Sequence, residues 1–378
     1  MNKPEVSIYK CLSYEPEEVA KAISELLEPL GGMKSFINRG DRVIIKPNLL
    51  KASPPEKAVT THPAVVEAVV REVLKAGGIP SIGDSPGIGN MQRIFQVTGM
   101  KGVAERTGAK LIEFSESVDV RTAEGATFKS LEISRDIMES HKVINLAKVK
   151  THAQMHVTLG VKNCFGCIVG KRKPQWHFKA GVSREYFAQL LLDIYSLVNP
   201  ALNISDGIIG MEGNGPGSGD PRPIGLLFAS NDALAMDAVI TEVLNLRHED
   251  VPLFLAASQR GLAQTDVGSI DILGPEIKEV KVTDFKGPKI IDMMFGPPFL
   301  RRYFKNALTA KPRIDHKLCT LCRHCVRTCP TEVMSVSNGK LNIDYRDCIH
   351  CFCCQEVCPE GAITPKQGWL LRLIRKGK

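Results

Sequence analysis

The sequence predicts an α/β protein, with a large, mostly parallel-sheet domain followed by a small α+β domain. Three observations carry this. Short apolar runs of strand length alternate with stretches of helical spacing up to about residue 290. The alternation then breaks at "FKGPKIIDMMFGPPFLRRYFKNALTAKP", where Pro297 and Pro298 interrupt the apolar pattern. Beyond it, most of the chain's twelve cysteines crowd into two runs that begin at Cys319 and Cys348.

The elements follow in order. "RVIIKPNLL" (Arg42 to Leu50) reads as a buried strand with a polar exit. Pro63 suits the first position of the next helix, and Gly77 suits its end. "IPSIGDSPG" gives a strand running into a turn at Asp84 to Gly87. A helical stretch from Met91 to Thr107 precedes the strand "KLIEF" from Lys110. Strand, helix, strand at this spacing implies parallel pairing with right-handed crossovers. "KVINLAKVKTH" from Lys142 is a further strand, and Arg184 to Val198 has helical spacing. "ALNISDGIIGM" reads as a strand into a loop, followed by the strand "PIGLLFAS". The helix Asp232 to Leu244 opens on a good cap residue; "VPLFLAASQRGL" is another helix and "SIDILG" another strand. The expected boundaries are 1–290 for the α/β domain, 291–312 for a linker with a short amphipathic helix, 313–365 for the cysteine module, and 366–378 for a basic amphipathic tail.

Composition narrows the classes of function. The formal charge is +8 over 378 residues, and Lys and Arg are spread without dense runs, which argues against nucleic-acid binding. No run of eighteen apolar residues offers a membrane span, and "MNKPEVSIYK" has no apolar signal region, so the expected location is cytoplasmic. In a reducing compartment the cysteines are ligands or catalysts rather than disulfides. The tail "WLLRLIRKGK" fits docking onto the large domain, with peripheral contact at an anionic membrane surface as the alternative.

The two runs read Cys319-x2-Cys322-x2-Cys325-x3-Cys329-Pro330 and Cys348-x2-Cys351-x2-Cys354-x3-Cys358-Pro359. This is the spacing of two [4Fe–4S] clusters. Two-residue gaps wrap three thiolates around three corners of a cube, and the fourth corner is filled from the other run. Cluster I is therefore expected on Cys319, Cys322, Cys325 and Cys358, and cluster II on Cys348, Cys351, Cys354 and Cys329. Cys353 lies off this register and reads as a packed or peripheral thiol. From residue 313 to 378 there are eleven Lys or Arg against six Asp or Glu. Each oxidised cluster with four thiolates carries about −2, so the loaded module is close to neutral. Freestanding ferredoxins tend to be strongly acidic; this one reads as built to dock on its own chain. Residues 313 to 365 resemble a bacterial two-cluster ferredoxin domain, which implies a ferredoxin-like α+β fold and single-electron transfer.

In the large domain the densest polar stretch runs from Asn145 to Gly170, after a strand, where open α/β sheets bind ligands. It holds Lys148, Lys150, His152, His156, Lys162 and Asn163. Lys150, His152 and Lys162 are the candidate catalytic residues, His152 as an acid or base near neutral pH. Lys46, Asn48, His62, Asp84, Asn163, Asp206 and Glu212 are candidate substrate-binding residues. Lys, His and amide groups together suit a carboxylate or phosphate; each alone has a surface or capping role as its plainer reading. His152 and His156, four apart, would share a helix face for a metal. Cys164-x2-Cys167 is open between a redox dithiol, a metal site and two packed thiols, with packing favoured. "DGIIGMEGNGPGSGDP" from Asp206 lacks the Lys-Ser/Thr of a Walker loop and reads as a lid, an anion nest or a plain surface loop.

Lys46-Pro47-Asn48, Lys150-Thr151-His152 and the stretch Thr158 to Gly166, with "THP" at Thr61 and "GDSPG" at Gly83, resemble the domain-of-unknown-function family 362, over roughly residues 5 to 290. The resemblance implies the fold and the order of modules and brings no activity with it. The leading expectation is an iron–sulfur oxidoreductase that exchanges electrons with a redox partner protein and acts on a small anionic substrate. No motif supports a flavin or an additional metal. The alternatives are an electron-transfer or binding module for a partner redox enzyme, and a non-redox enzyme with structural or sensing clusters.

Overall fold

The computed structural model describes residues 3–366, apart from 88, 171, 182 and 289–309. The expected linker helix and the basic tail lie outside the described residues.

The large domain is a nine-stranded mixed sheet between two helical layers. Its strands are β1 (Glu5–Lys10), β2 (Arg42–Pro47), β3 (Ile79–Asp84), β4 (Lys110–Glu113), β7 (Lys142–His152), β8 (His156–Thr158), β9 (Leu202–Glu212), β10 (Asp220–Ser230) and β11 (Asp271–Leu273); β5 (Ser117–Arg121) and β6 (Ser130–Ser134) form a separate hairpin. The order is β11-β1-β10-β9-β7-β2-β3-β4, with β8 folded back on β7. Pairing is parallel from β4 through β9, and β10 runs antiparallel to both its neighbours.

The strand pattern follows from burial on both faces. Along β2, Val43 and Ile45 enter one apolar core and Ile44 enters the other. The first core is closed by helices Pro16–Leu27, Pro63–Lys75, Met91–Val97 and Met100–Thr107. The second is closed by Arg184–Val198, Ala233–Val243 and Pro252–Gln259. Helix starts use side-chain caps: His62, Ser183 and Asp232 each accept a backbone N–H from the first turn. Two expectations change. The stretch from Met91 to Thr107 is two helices, because Gly99 takes a left-handed φ of 79° between them. "ALNISDGIIGM" is strand from Leu202 onward, continuing to Glu212, because β10 pairs along its length.

The C-terminal unit has two antiparallel ribbons, β12 (Lys311–Ile314) with β15 (Ile363–Lys366), and β13 (Met334–Ser337) with β14 (Lys340–Ile343). Helices His324–Thr328 and Cys353–Glu356 lie between them. Its core is small: Cys325, Met334, Leu341, Cys354, Cys358, Ala362 and Ile363. So few buried side chains give a unit of this size little stability of its own, which suits a fold completed by metal.

A candidate active site between the two domains

The parallel strands β2, β3 and β7 all end at the same edge of the sheet, and each delivers polar side chains there. Lys46, near the end of β2, is 1% exposed. Its Nζ lies 3.0 Å from Asp84 Oδ1, at the end of β3, and donates to the Pro47 carbonyl at 2.9 Å. Asp84 also accepts the backbone N–H groups of Leu49 and Ser85. Gly166 packs so closely on this pair that a Cβ there would come within 2.5 Å of Lys46 Nζ and overlap the Asp84 carboxylate. Lys150 on β7 donates to Asn48 Oδ1 at 2.7 Å and to the Val59 carbonyl at 2.6 Å. Neither acceptor is charged, and burial pushes the Lys150 pKa well down. Asn48 in turn donates to Asn163 Oδ1, and Asn163 to Asn145 Oδ1.

These groups line a cleft of about 90 Å³, room enough for a small ion or a few waters. The lining also includes His152, Lys162, Lys173, His177, Cys353 and Glu356. Glu356 and Cys353 come from the cysteine module, so the cleft is walled by both domains. His152 Nδ1 accepts the N–H groups of Gln154 and Met155, which leaves the proton on Nε2. Nε2 sits 2.9 Å from Glu356 Oε1, but off a good hydrogen-bond line. Burial, aided by Lys162, lowers the His152 pKa to about 4, so the ring is neutral at pH 7. His177 is also buried; its pKa falls to about 3, and its Nδ1 has no hydrogen-bond partner among the described residues. Lys173 donates to the Ser85 carbonyl, and burial pushes its pKa down to about 7. Lys162 has a cation–π approach to Phe165, 5.6 Å from the ring centre, and no hydrogen bond or ion pair among the described residues. Four lysines thus face two carboxylates, Asp84 and Glu356, in one largely buried space.

The sequence-chosen residues divide. Lys46, Asn48, Asp84, Lys150, His152, Lys162 and Asn163 converge on the cleft. Three do not line it. His62 caps its helix and stacks on Tyr14 with ring centres 3.6 Å apart. Asp206 is held by Lys148 Nζ at 2.7 Å, the Tyr14 hydroxyl and the His62 N–H, a satisfied buried network. Glu212 binds the Lys286 backbone N–H and ammonium. His152 and His156 do not share a helix face: they sit opposite each other across the β7–β8 hairpin. Cys164 and Cys167 are buried in a short 3-10 helix, and burial raises both thiol pKa values, Cys167 to about 12. That is the environment of packed, unreactive thiols.

Lys173, His177 and Glu356 are absent from the sequence-chosen set. Lys173 and His177 are four apart on helix Arg172–Ala180, a helical spacing that a charged stretch conceals. Glu356 stands inside a cysteine run, where the thiols dominate the reading.

The glycine-rich segment is the dock for the cysteine module. Gly213 and Gly215 bond to Thr151, and Gln355 Nε2 reaches Asn214 Oδ1 at 2.6 Å and the Gly215 carbonyl. A Cβ at Gly217 would lie 3.0 Å from the Glu356 carbonyl oxygen. Lys51 donates to the Cys358 carbonyl at 2.9 Å, and Ala153, Ala310 and Phe352 form a small apolar contact between the domains.

Within the module, one cavity is lined by Cys319, Cys322, Cys325 and Cys358, and another by Cys329, Cys348, Cys351, Cys353 and Cys354. The spacing groups the same thiols, except that Cys353, off its register, also borders the second cavity. The chain curls around each cavity through left-handed residues at matching places, Leu321 and Arg323 in the first run and His350 and Phe352 in the second. Among the described residues no three metal-binding side chains converge as on a single ion. A [4Fe–4S] cube, with iron and sulfide at alternate corners, takes one thiolate on each of its four irons, and each cavity offers at least four thiols.

Fold and site together define an iron–sulfur α/β protein with its metal-binding module docked over the interdomain cleft. A family model described as a domain of unknown function (DUF362) matches residues 43–242, and one described as a 4Fe-4S dicluster domain matches residues 311–359. The chain belongs to the DUF362 family. It is 39% identical over 303 residues to a thylakoid-associated protein of Synechocystis sp., covering 80% of this chain and 94% of that protein. Among the described residues no helix is long and apolar enough to cross a membrane. Among solved structures, the lactate racemase apoprotein of Thermoanaerobacterium thermosaccharolyticum matches at 12% identity with a TM-score of 0.39, over 61% of this chain and 55% of that one.

Proposed function

We propose that this protein is an iron–sulfur oxidoreductase: two [4Fe–4S] clusters relay single electrons between a partner protein and a small anionic substrate in the interdomain cleft. The observation that carries the reading is Cys353, which borders both the cleft and the cavity of Cys329, Cys348, Cys351 and Cys354. An electron on cluster II would stand beside the substrate with no further carrier between them. The lysine surplus supports an anion, because buried cations without counter-ions are costly and a bound carboxylate or phosphate offsets that cost. Lys162 would meet the anion directly. Lys150 and Asn48 would orient it, and His152, neutral and with Nε2–H facing the cleft, would donate a hydrogen bond to it.

The test begins with anaerobic protein carrying about eight irons per chain. Dithionite-reduced protein is mixed with small carboxylates and phosphates, and cluster absorbance is followed. Reoxidation by one class of anion, lost in Lys150→Met with clusters intact, is expected. Turnover that survives Cys319→Ser and Cys348→Ser would transfer the protein to non-redox chemistry.

A further inference from the structure

The two cysteine sets face different ways. The cavity of Cys329, Cys348, Cys351 and Cys354 shares Cys353 with the cleft, whereas Cys322 of the other set is exposed and Cys319 half-buried. Around Cys322 lie two exposed leucines, Leu318 at 51% and Leu321 at 36%. Lys317, Arg323 and Arg327 are exposed on the same stretch and make no ion pair among the described residues. The nearby acids are Asp315, whose carboxylate accepts the Lys317 backbone N–H, and Glu360, beside the first cavity. A small apolar patch ringed by unpaired cations, over a solvent-facing thiolate, has the form of a transient electron-transfer interface.

We propose that this face is the electron port, and that its occupant is a small acidic one-electron carrier protein docking over Cys322. The proposal rests on the relay read above and gives that relay a direction within the molecule. The reduced carrier would lose one electron and be oxidised, and Cys319, Cys322, Cys325 and Cys358 would hold the cluster that takes it up. The cysteines of the second cavity would hold the cluster that passes it on towards the cleft. Charge complementarity selects the carrier: acidic carriers meet Lys317, Arg323 and Arg327, and the leucines seal the contact against water. An anionic lipid surface would meet the same charges but has no use for the exposed Cys322.

The experiment uses the full chain with both clusters loaded and a plant-type [2Fe–2S] ferredoxin as the acidic probe. Stopped-flow reduction by that ferredoxin is measured against salt, and binding is measured with a redox-inert form of it. The expected result is fast reduction that slows by about tenfold or more as salt screens the contact. Lys317→Glu/Arg323→Glu should weaken binding by about tenfold or more, with iron content and the rate of dithionite reduction unchanged. Arg327→Glu serves if the double variant fails to load its clusters. Arg346→Glu, whose arginine is already paired with Asp344, should leave binding intact. Equal ferredoxin binding by wild type and the port variants overturns the proposal, as does loss of binding only to vesicles of anionic lipid. Turnover with dithionite as donor reports on the cleft alone, so failure of the port and failure of the relay reading give different results.

Discussion

Lys162→Met separates a binding role from a structural one. The Lys162 ammonium makes only a cation–π approach to Phe165 among the described residues, and burial lowers its pKa. In the fold it therefore offsets its own burial by about 0.5–2 kcal/mol. Methionine keeps the stem volume and a sulfur–aromatic contact of about 0.3–1.5 kcal/mol. Stability should stay within about 1 kcal/mol of wild type. An anion in the cleft would lose a charge-assisted hydrogen bond, about 1.5–3 kcal/mol. At 1.4 kcal/mol per tenfold this is a loss of about 10- to 150-fold in affinity. Isothermal titration of the cluster-loaded protein with phosphate, sulfate, oxalate and malonate finds the best-bound anion, and urea melts give stability. Undiminished affinity for that anion would refute the reasoning. So would a stability loss above about 3 kcal/mol, which would make Lys162 part of the scaffold.

Other perturbations bear on other parts of the molecule. Cys329→Ser should remove the iron of the cleft-side cluster, about four of about eight, although Cys329 belongs to the first run; iron analysis and electron paramagnetic resonance read this directly. Cys353→Ser should leave iron content unchanged. Gly166→Ala should destabilise the large domain by about 1–3 kcal/mol in urea melts, because its Cβ displaces the Lys46–Asp84 pair; wild-type stability would mean the strand exit is looser than it looks. Lys173 has a folded pKa of about 7, depressed by burial. Below pH 7 it is protonated and adds a cation to the cleft, so anion affinity should strengthen as pH falls through 7 and weaken above it. The bend should vanish in Lys173→Met. By the same linkage, folding alone favours the neutral amine: between pH 7 and 10.5 the unfolded chain binds more protons at this site, so stability rises with pH there.

Much of the fold was legible because it is written locally. Helix Arg184–Val198 carries its own spacing and its Ser183 cap, and the strand exits at Lys46, Asp84 and Lys150 follow from apolar runs ending in polar residues. The cysteine sets were legible because a cube imposes a fixed local spacing. What could not be read was non-local. Asp206 was chosen for its glycine-rich surroundings, but Lys148 and Tyr14, from distant parts of the chain, satisfy it. The His152–His156 spacing of four is as compatible with a tight hairpin as with a helix, and β7 decides between them. Glu356 enters the cleft only because Gln355 and Lys51 hold the module against the large domain.

That arrangement has a consequence for the life of the chain. The wall of the cleft that carries Glu356 and Cys353 belongs to a unit whose own apolar core is small. If the module folds only with iron, Glu356 and Cys353 would be missing from the wall until metal is bound, and Lys46, Lys150, Lys162 and Lys173 would face water there. On the proposed function, the site would then form together with the clusters that serve it.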